Sequence, residues 1–450
     1  MTSAGSPRNS DERGSVLLVV LIIMAAIGAI ATGMSFMART ETALASNDVQ
    51  DKETFYLAES GVEEAITYLN TLGEPFKGTG ANHDQPYAYL NNAAREHGQV
   101  TVYLDSKDSN TGASTRYVQI QARAVNSNGR VAKAVAVRIG QQNFSRYAYF
   151  SDIELGSSGS KIWFATGDNL YGPVHTNDQF HISGTPTFYE VASSVNAHLD
   201  YFAGGPPNDV PDFKKGVTLA APAIPLPSDL SVLKAKAHAS DGLFLTGMTK
   251  AKVVIQYNAG LGRSQLIVTK DSGSAVTYEL PANGVVYVDG IAEVSGSLKG
   301  VLTIAAKQDL RIIADIVYPT DPRVDPTSTD ILGLISEKNV VMAATAANLD
   351  SGDETVMASI MALGESFTAE NYASGSPRGK LKLYGGIIQE RRGPVGTFNS
   401  SGTVSGYQKS YNHDPRLLDN PPPSYPTTGQ IERISWKQID PATNIAANVF

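Results

Sequence analysis

Two histidines and an aspartate lie close together in "GPVHTNDQFHISG", as His175, Asp178 and His181. Imidazole nitrogens and a carboxylate are the donors a divalent transition metal takes, so the cluster could gather one if the fold closed it. The competing reading is a hydrogen-bonded loop bounded by glycines, and it is the one preferred. Two acidic stretches, "NLDSGDE" with Asp350, Asp353 and Glu354, and "DPRVDPTSTD" with Asp321, Asp325 and Asp330, offer oxygen ligands suited to calcium. Neither has the alternating ligands and distal Glu of a calcium loop, and Asp-Pro pairs initiate turns. Asp152, Asp168 and Asp178 could supply paired carboxylates for glycan hydrolysis, but no spacing in sequence supports the pairing. Arg391 and Arg392 in "QERRGP" read as a solvated loop. There is no GxSxG, HExxH, GxxxxGK[ST] or complete GxGxxG motif. The expectation is therefore a protein that is not an enzyme, with no resident metal and no cofactor beyond a calcium option.

Composition narrows the classes further. The chain has 450 residues, too many for one ordinary core, with 41 Gly and 23 Pro in keeping with a turn-rich fold. Its formal charge of −8 and scattered basic residues argue against nucleic acid as a partner. With no cysteine, disulfides and thiol chemistry are absent.

The elements that must carry any function begin with "RGSVLLVVLIIMAAIGAIATGMSFMARTETA", which has no charge from Ser15 to Ala38. A helix of that length reaches about 36 Å, enough for a hydrocarbon core of about 30 Å. Val16, Leu17, Leu18, Val19 and Leu21 form an aliphatic head, and Gly28 and Gly33 lie in a slimmer Ala/Gly run suited to close helix contact. Arg8 and Arg13 stand opposite Arg39 and Lys52, so flanking charge marks neither side strongly. The segment differs from a secretory signal, because the preceding residues are polar and mixed in sign and the helical pattern runs on. Leu44, Phe55, Val62, Ile66 and Leu69 continue it to the Gly73 and Pro75 stop signals. One helix of nearly sixty residues is predicted over 15–73, apolar first and amphipathic after.

"RGSVLLVVL" followed by "FYLAESGVEEAI" resembles the N-terminal segment of the PilX-like minor pilins of type IV pilus systems, over about residues 13–70. The resemblance implies a leader over 1–14, cut by prepilin peptidase between Gly14 and Ser15. It also implies assembly with other pilins or pseudopilins through the helix. The protein would be single-pass in the inner membrane with its bulk extracytoplasmic, then part of a pilus or on the cell surface. Two departures stand out. Major pilins begin the mature chain with Phe or Met, where this sequence has Ser15. Four residues later they carry Glu, where it has Val19. In the family that carboxylate pairs with a neighbouring subunit's terminal amine, so Val19 implies a subunit that primes or caps a filament of a pilus or pseudopilus.

Beyond a loop with a short helix at 75–98, "QVTVYLD" (99–105), "TRYVQIQARAV" (115–125) and "VAKAVAVRIG" alternate with period two. Asn128-Gly129 predicts a hairpin turn between the last two. A long helix with a three-stranded antiparallel sheet over 74–142 is an α+β, pilin-like module. From residue 143 to 450 the texture is mainly β. Short apolar runs recur near Val285, Ile291, Val301 and Leu310, then in "ILGLISEKNVVMAA", "VMASIMALGESF" and "KLKLYGGIIQE". Consecutive apolar positions favour a right-handed parallel β-helix or solenoid over a β-sandwich. Residues 204–213 and 219–229 are Pro-rich connectors or a lid, and Pro421–Pro426 with Tyr425 is an extended tail against the body. This region looks like the poorly characterised domain that follows PilX-like N-termini, through "WFATGDNLYGPVHTND", "GLISEKNVV", "ASIMALGESF" and "GYQKSYNHDPRL". That likeness implies no activity. The alternatives kept are a tip adhesin gripping an extracellular glycan or surface polymer, and a bitopic membrane protein with a self-assembling solenoid.

Overall fold

A computed structural model describes residues 11–71, 86–107, 117–350, 352–399 and 402–443. The chain divides into two compact units: 1–106 with 118–139 and 433–450, and 107–117 with 140–432.

The first unit is built on α1, an unbroken helix Asp11–Thr71. From Val16 to Met37 its large apolar side chains are exposed, and this part is long and apolar enough to cross a membrane. Farther on, Thr54, Leu57, Ala58, Val62, Ala65 and Leu69 are buried at three- and four-residue steps, which makes one covered stripe. That stripe packs on a sheet ordered β1 (Tyr87–Arg95), β2 (Gly98–Lys107), β3 (Tyr117–Asn126), β4 (Ala132–Asn143) and the C-terminal strand Thr427–Ile439. Gly61 sets the approach: a Cβ there would meet Val100 and Val102 methyls at 2.8 and 2.9 Å. The predicted turn is present. Asn126 Oδ1 accepts from the Arg130 and Val131 amides at 3.0 and 3.1 Å, and Gly129 has φ 72°.

Three sequence expectations change in this unit. Tyr87–Arg95 is a strand, not a helix or loop, because pairing with β2 through two register shifts outweighs its Ala- and Asn-rich composition. Residues 75–85 lie outside the described residues. The sheet has five strands instead of three, since β1 and the C-terminal strand each add an edge. Residues 433–443, assigned from sequence to the β-rich region, group with the first unit. Trp436 donates to Glu59 at 2.6 Å and its ring meets Phe55 edge-on at 6.0 Å.

The second unit is dominated by parallel pairing. Leu243, Val286, Ile304, Leu334, Ile360, Ile387, Tyr149, Val174, Ala192 and Val217 form one column, each the register partner of the next. The chain enters this ladder in the middle. Tyr149–Ile153, Val174–Thr176, Ala192–Ser194 and Val217–Thr218 build outward one way. A Pro-rich stretch and α2 (Ser231–His238) then lead to Leu243–Leu245, from which the ladder grows back until Pro377–Arg391 joins Tyr149–Ile153. A second parallel ladder aligns Ala251, Ala292, Leu310, Val340 and Phe367. Shorter ones align Phe164 with Ile182 and Tyr201, and Leu170 with Phe188 and Phe213.

Both faces of the long ladder are covered, which accounts for its consecutive apolar positions. Its main column belongs to one large core cluster. The neighbouring residues Tyr287, Ala305, Ile335, Met361, Ile388 and Phe150 form a second cluster with Leu233 and Ala237 of α2, Ile224 of the Pro-rich stretch, and Tyr425. Tyr425 accepts from Ser359 Oγ at 2.9 Å, and Thr303 Oγ1 donates to the Pro423 carbonyl at 2.6 Å. The Pro421–Pro426 tail thus lies against the body.

Candidate functional site

Pro377–Arg391 is the longest strand in the chain's second unit, and it forks along one edge. Its first half, through Tyr384, pairs with Gly402–Asn412, whereas from Ile387 it pairs with Tyr149–Ile153. Between the two lie Gly385 and Gly386. A Cβ on Gly385 would sit 1.8 Å from the Ala358 carbonyl oxygen, and one on Gly386 2.2 Å from that of Tyr147. Only glycine lets the backbones approach this closely. Where the two partners diverge, a cleft of about 240 Å³ opens. Tyr149, Phe164, Leu170, Phe367, Ile387 and Val395 contribute its apolar lining, and Asp168, Asn169, Gln389, Lys409, Ser410 and Asn412 its polar lining. Tyr171, Tyr411 and Arg392 also line it, with Gly167 and Gly393.

The charges around the cleft are paired. Arg392 is buried and donates to Glu154 at 3.0 Å and to the Ile162 and Trp163 carbonyls at 3.1 and 3.3 Å. Its guanidinium lies 3.8 Å from the Phe164 ring centroid. Lys409 contacts Asp168 at 3.1 Å, and the Ala165 amide donates to the same carboxylate at 3.0 Å. Burial pushes the Asp168 carboxyl up, but Lys409, Arg392 and the amide outweigh it and hold it below the usual range. Burial raises the Tyr149 and Tyr411 hydroxyls, which therefore stay protonated. Gln389 donates to Tyr149 Oη at 2.7 Å and accepts from the Phe367 amide at 3.0 Å. The set presents fixed donors and acceptors and a balanced charge.

The chemistry-bearing residues read from sequence go to separate tasks. His175 is buried between Ser193 Oγ at 2.8 Å and Asn177 Oδ1 at 2.9 Å, stacks on Phe150, and has its pKa lowered by burial. His181 pairs with Asp200 at 2.7 Å, and Asp178 accepts from the Glu154 amide at 2.9 Å. Asp152 accepts from Asn177 at 2.7 Å. Asp321 binds Arg323, Asp325 binds Thr327, Asp330 faces Lys299, and Asp353 faces Lys382. Among the described residues, no three His, Asp or Glu side chains are placed to hold one metal ion. Arg392 corrects its solvated-loop reading: just past the strand's end it is buried and paired with Glu154.

On α1, Val16, Leu17, Leu18, Val19 and Leu21 are exposed, and a Cβ on Gly28 or Gly33 would meet nothing within 4 Å. Gly14 and Ser15 fall within the helix, and their side chains lie outside the described residues. The cleft itself was not read from the sequence. Its one local signal was the Gly-Gly pair inside the apolar run "KLKLYGGIIQE", a mark of close backbone approach.

Residues 86–196 match the family described as a domain of unknown function, DUF4900. The matched stretch includes β1–β4, Tyr149, Asp168, Asn169 and Tyr171. No curated protein matches the chain. Among solved structures, the competence-associated pilin ComZ from Thermus thermophilus is similar at 11% identity and a TM-score of 0.29, over 87% of this chain and 97% of that chain.

Proposed function

We propose that this chain is a minor pilin-like structural subunit of a type IV pilus or related pseudopilus, and that it displays a large β domain. One observation carries the reading: a single helix presents a fully exposed apolar half from Val16 to Met37 and docks its other half on an antiparallel sheet through Gly61. An exposed apolar surface of that length needs a lipid or helical partner, and the Gly28–Gly33 stretch has room for a close one. In this reading prepilin peptidase cuts between Gly14 and Ser15, and the helix passes from the inner membrane into a bundle of pilin helices at the cell surface. With Val19 where a carboxylate would engage a neighbour's amine, the subunit belongs at a filament's tip or in its initiation complex.

The β domain is read as a coiled, solenoid-like stack. Its support is the parallel register in which Val286, Ile304, Leu334, Ile360 and Ile387 return in turn to one column. The domain serves as a non-enzymatic display element. Intact-mass analysis of the protein from cells with and without prepilin peptidase tests the assembly reading. A mature start at Ser15 that depends on the peptidase is expected. An unprocessed Met1 in both would instead favour a simple membrane anchor.

A further inference from the structure

Beyond assembly, we propose that the cleft at the strand fork binds a neutral saccharide, one pyranose ring stacking on Tyr171 while its hydroxyls meet the Asp168–Lys409 pair and the Asn169 and Asn412 amides.

Three observations lead there. The cleft is a built feature, opened where Pro377–Arg391 changes partner and held by glycines that tolerate no side chain. Tyr171 lines it, is 47% exposed, and has one ring face braced by Tyr189 at 4.5 Å and 15°. A braced, half-exposed aromatic ring is a platform for a flat apolar surface, such as the C–H face of a sugar. The polar lining combines planar amides with an ion pair, so it offers both donors and acceptors.

The charge balance then selects among ligands. Asp168 is matched by Lys409, and Glu154 by Arg392, so a charged ligand would have to break a pair already made. A hydroxyl both donates and accepts, and it can bond to a paired carboxylate and ammonium without separating them. Neutral sugar rings are rich in such groups. A uronate or a phosphorylated sugar would bring an uncompensated charge, and an aliphatic ligand would leave the polar lining unpaired. The site uses none of the α1 surface, so it is independent of the assembly reading.

Saturation-transfer NMR on the full chain, held in a zwitterionic detergent without a sugar headgroup, tests this with cellotetraose, chitotetraose and tetragalacturonate as probes. Transfer to at least one neutral oligosaccharide is expected. It should weaken roughly five- to tenfold in Tyr171→Ala and persist in Tyr171→Phe and in the remote Tyr257→Ala. Exposed Tyr171 is not a core residue, and the circular dichroism of each variant reports its fold directly. No transfer to either neutral probe, transfer to tetragalacturonate alone, or transfer unchanged by Tyr171→Ala would overturn the assignment.

Discussion

Gln389 donates a hydrogen bond to the hydroxyl of Tyr149 at 2.7 Å, across 240 residues of sequence. The bond lies beside the register pair Ile387 and Tyr149, where the end of one run of parallel strands meets the beginning of another. The same Gln389 side chain accepts from the amides of Phe367 and Gly393 at 3.0 and 3.3 Å, so one buried amide ties three segments together.

Removing the Tyr149 hydroxyl leaves Gln389 with a buried unpaired donor. Tyr149→Phe should cost about 1–2 kcal/mol. Gln389→Leu should cost more, because two backbone amides also lose their acceptor. Denaturant unfolding of both variants checks the order, and equal losses in the two would show that the Phe367 and Gly393 amides gain nothing from Gln389.

The fork depends on its glycines. Gly385→Ala drives a methyl to within 1.8 Å of the Ala358 carbonyl, and it should cost at least about 3 kcal/mol or prevent folding. Gly28→Ala, with open space around it, should leave the melting temperature unchanged. Thermal melts followed by circular dichroism distinguish the two outcomes.

Arg392 and Glu154 form an ion pair with side-chain exposures of 5% and 0%. Arg392→Met strands a buried carboxylate and should destabilise by about 3–5 kcal/mol. The double change Glu154→Gln with Arg392→Met should recover part of that loss. A double-mutant cycle measures the coupling, and additive losses would contradict it.

Glu354 is buried beside Asp315, and burial together with that carboxylate pushes its pKa up to about 7. The folded chain therefore holds a proton that the unfolded chain, titrating near 4.3, releases earlier. This contribution to stability is complete below the unfolded value and is lost as pH rises through about 7. Glu354→Gln should be more stable than the parent at pH 8 by roughly 1–2 kcal/mol, and the difference should vanish near pH 4. Paired melts at the two pH values give the answer.

The docking of α1 rests on Gly61. Gly61→Leu would push a side chain into Val100 and Val102 and should cost about 1–3 kcal/mol through overpacking. Faster amide hydrogen exchange in β2 is the readout, with the strand Leu310–Val317 as an unaffected reference.

Local pattern made part of this molecule legible. The uncharged run from Ser15 to Ala38 and the three- and four-residue spacing after it predicted α1, because helical periodicity is a property of neighbouring residues. Asn128-Gly129 announced its hairpin for the same reason: a short turn, here the connection 127–131, is chosen by its own backbone preferences. The apolar runs after residue 284 announced buried strands, yet not their partners. Tyr87–Arg95 was misread because an edge strand takes its conformation from β2. Thr427–Ile439 was missed because its pairing partner lies almost three hundred residues earlier, in β4.

The sequence by itself determined the long helix, its apolar and amphipathic halves, and the β character of the remaining chain, each encoded in residue types a few positions apart. Only the tertiary structure decided that Ile387 meets Tyr149, that Arg392 turns inward to Glu154, and that Asp168, Tyr171 and Lys409 line one cleft. Those relationships are long-range pairings selected by the packing of whole ladders, and no local period records which distant strand will stand alongside.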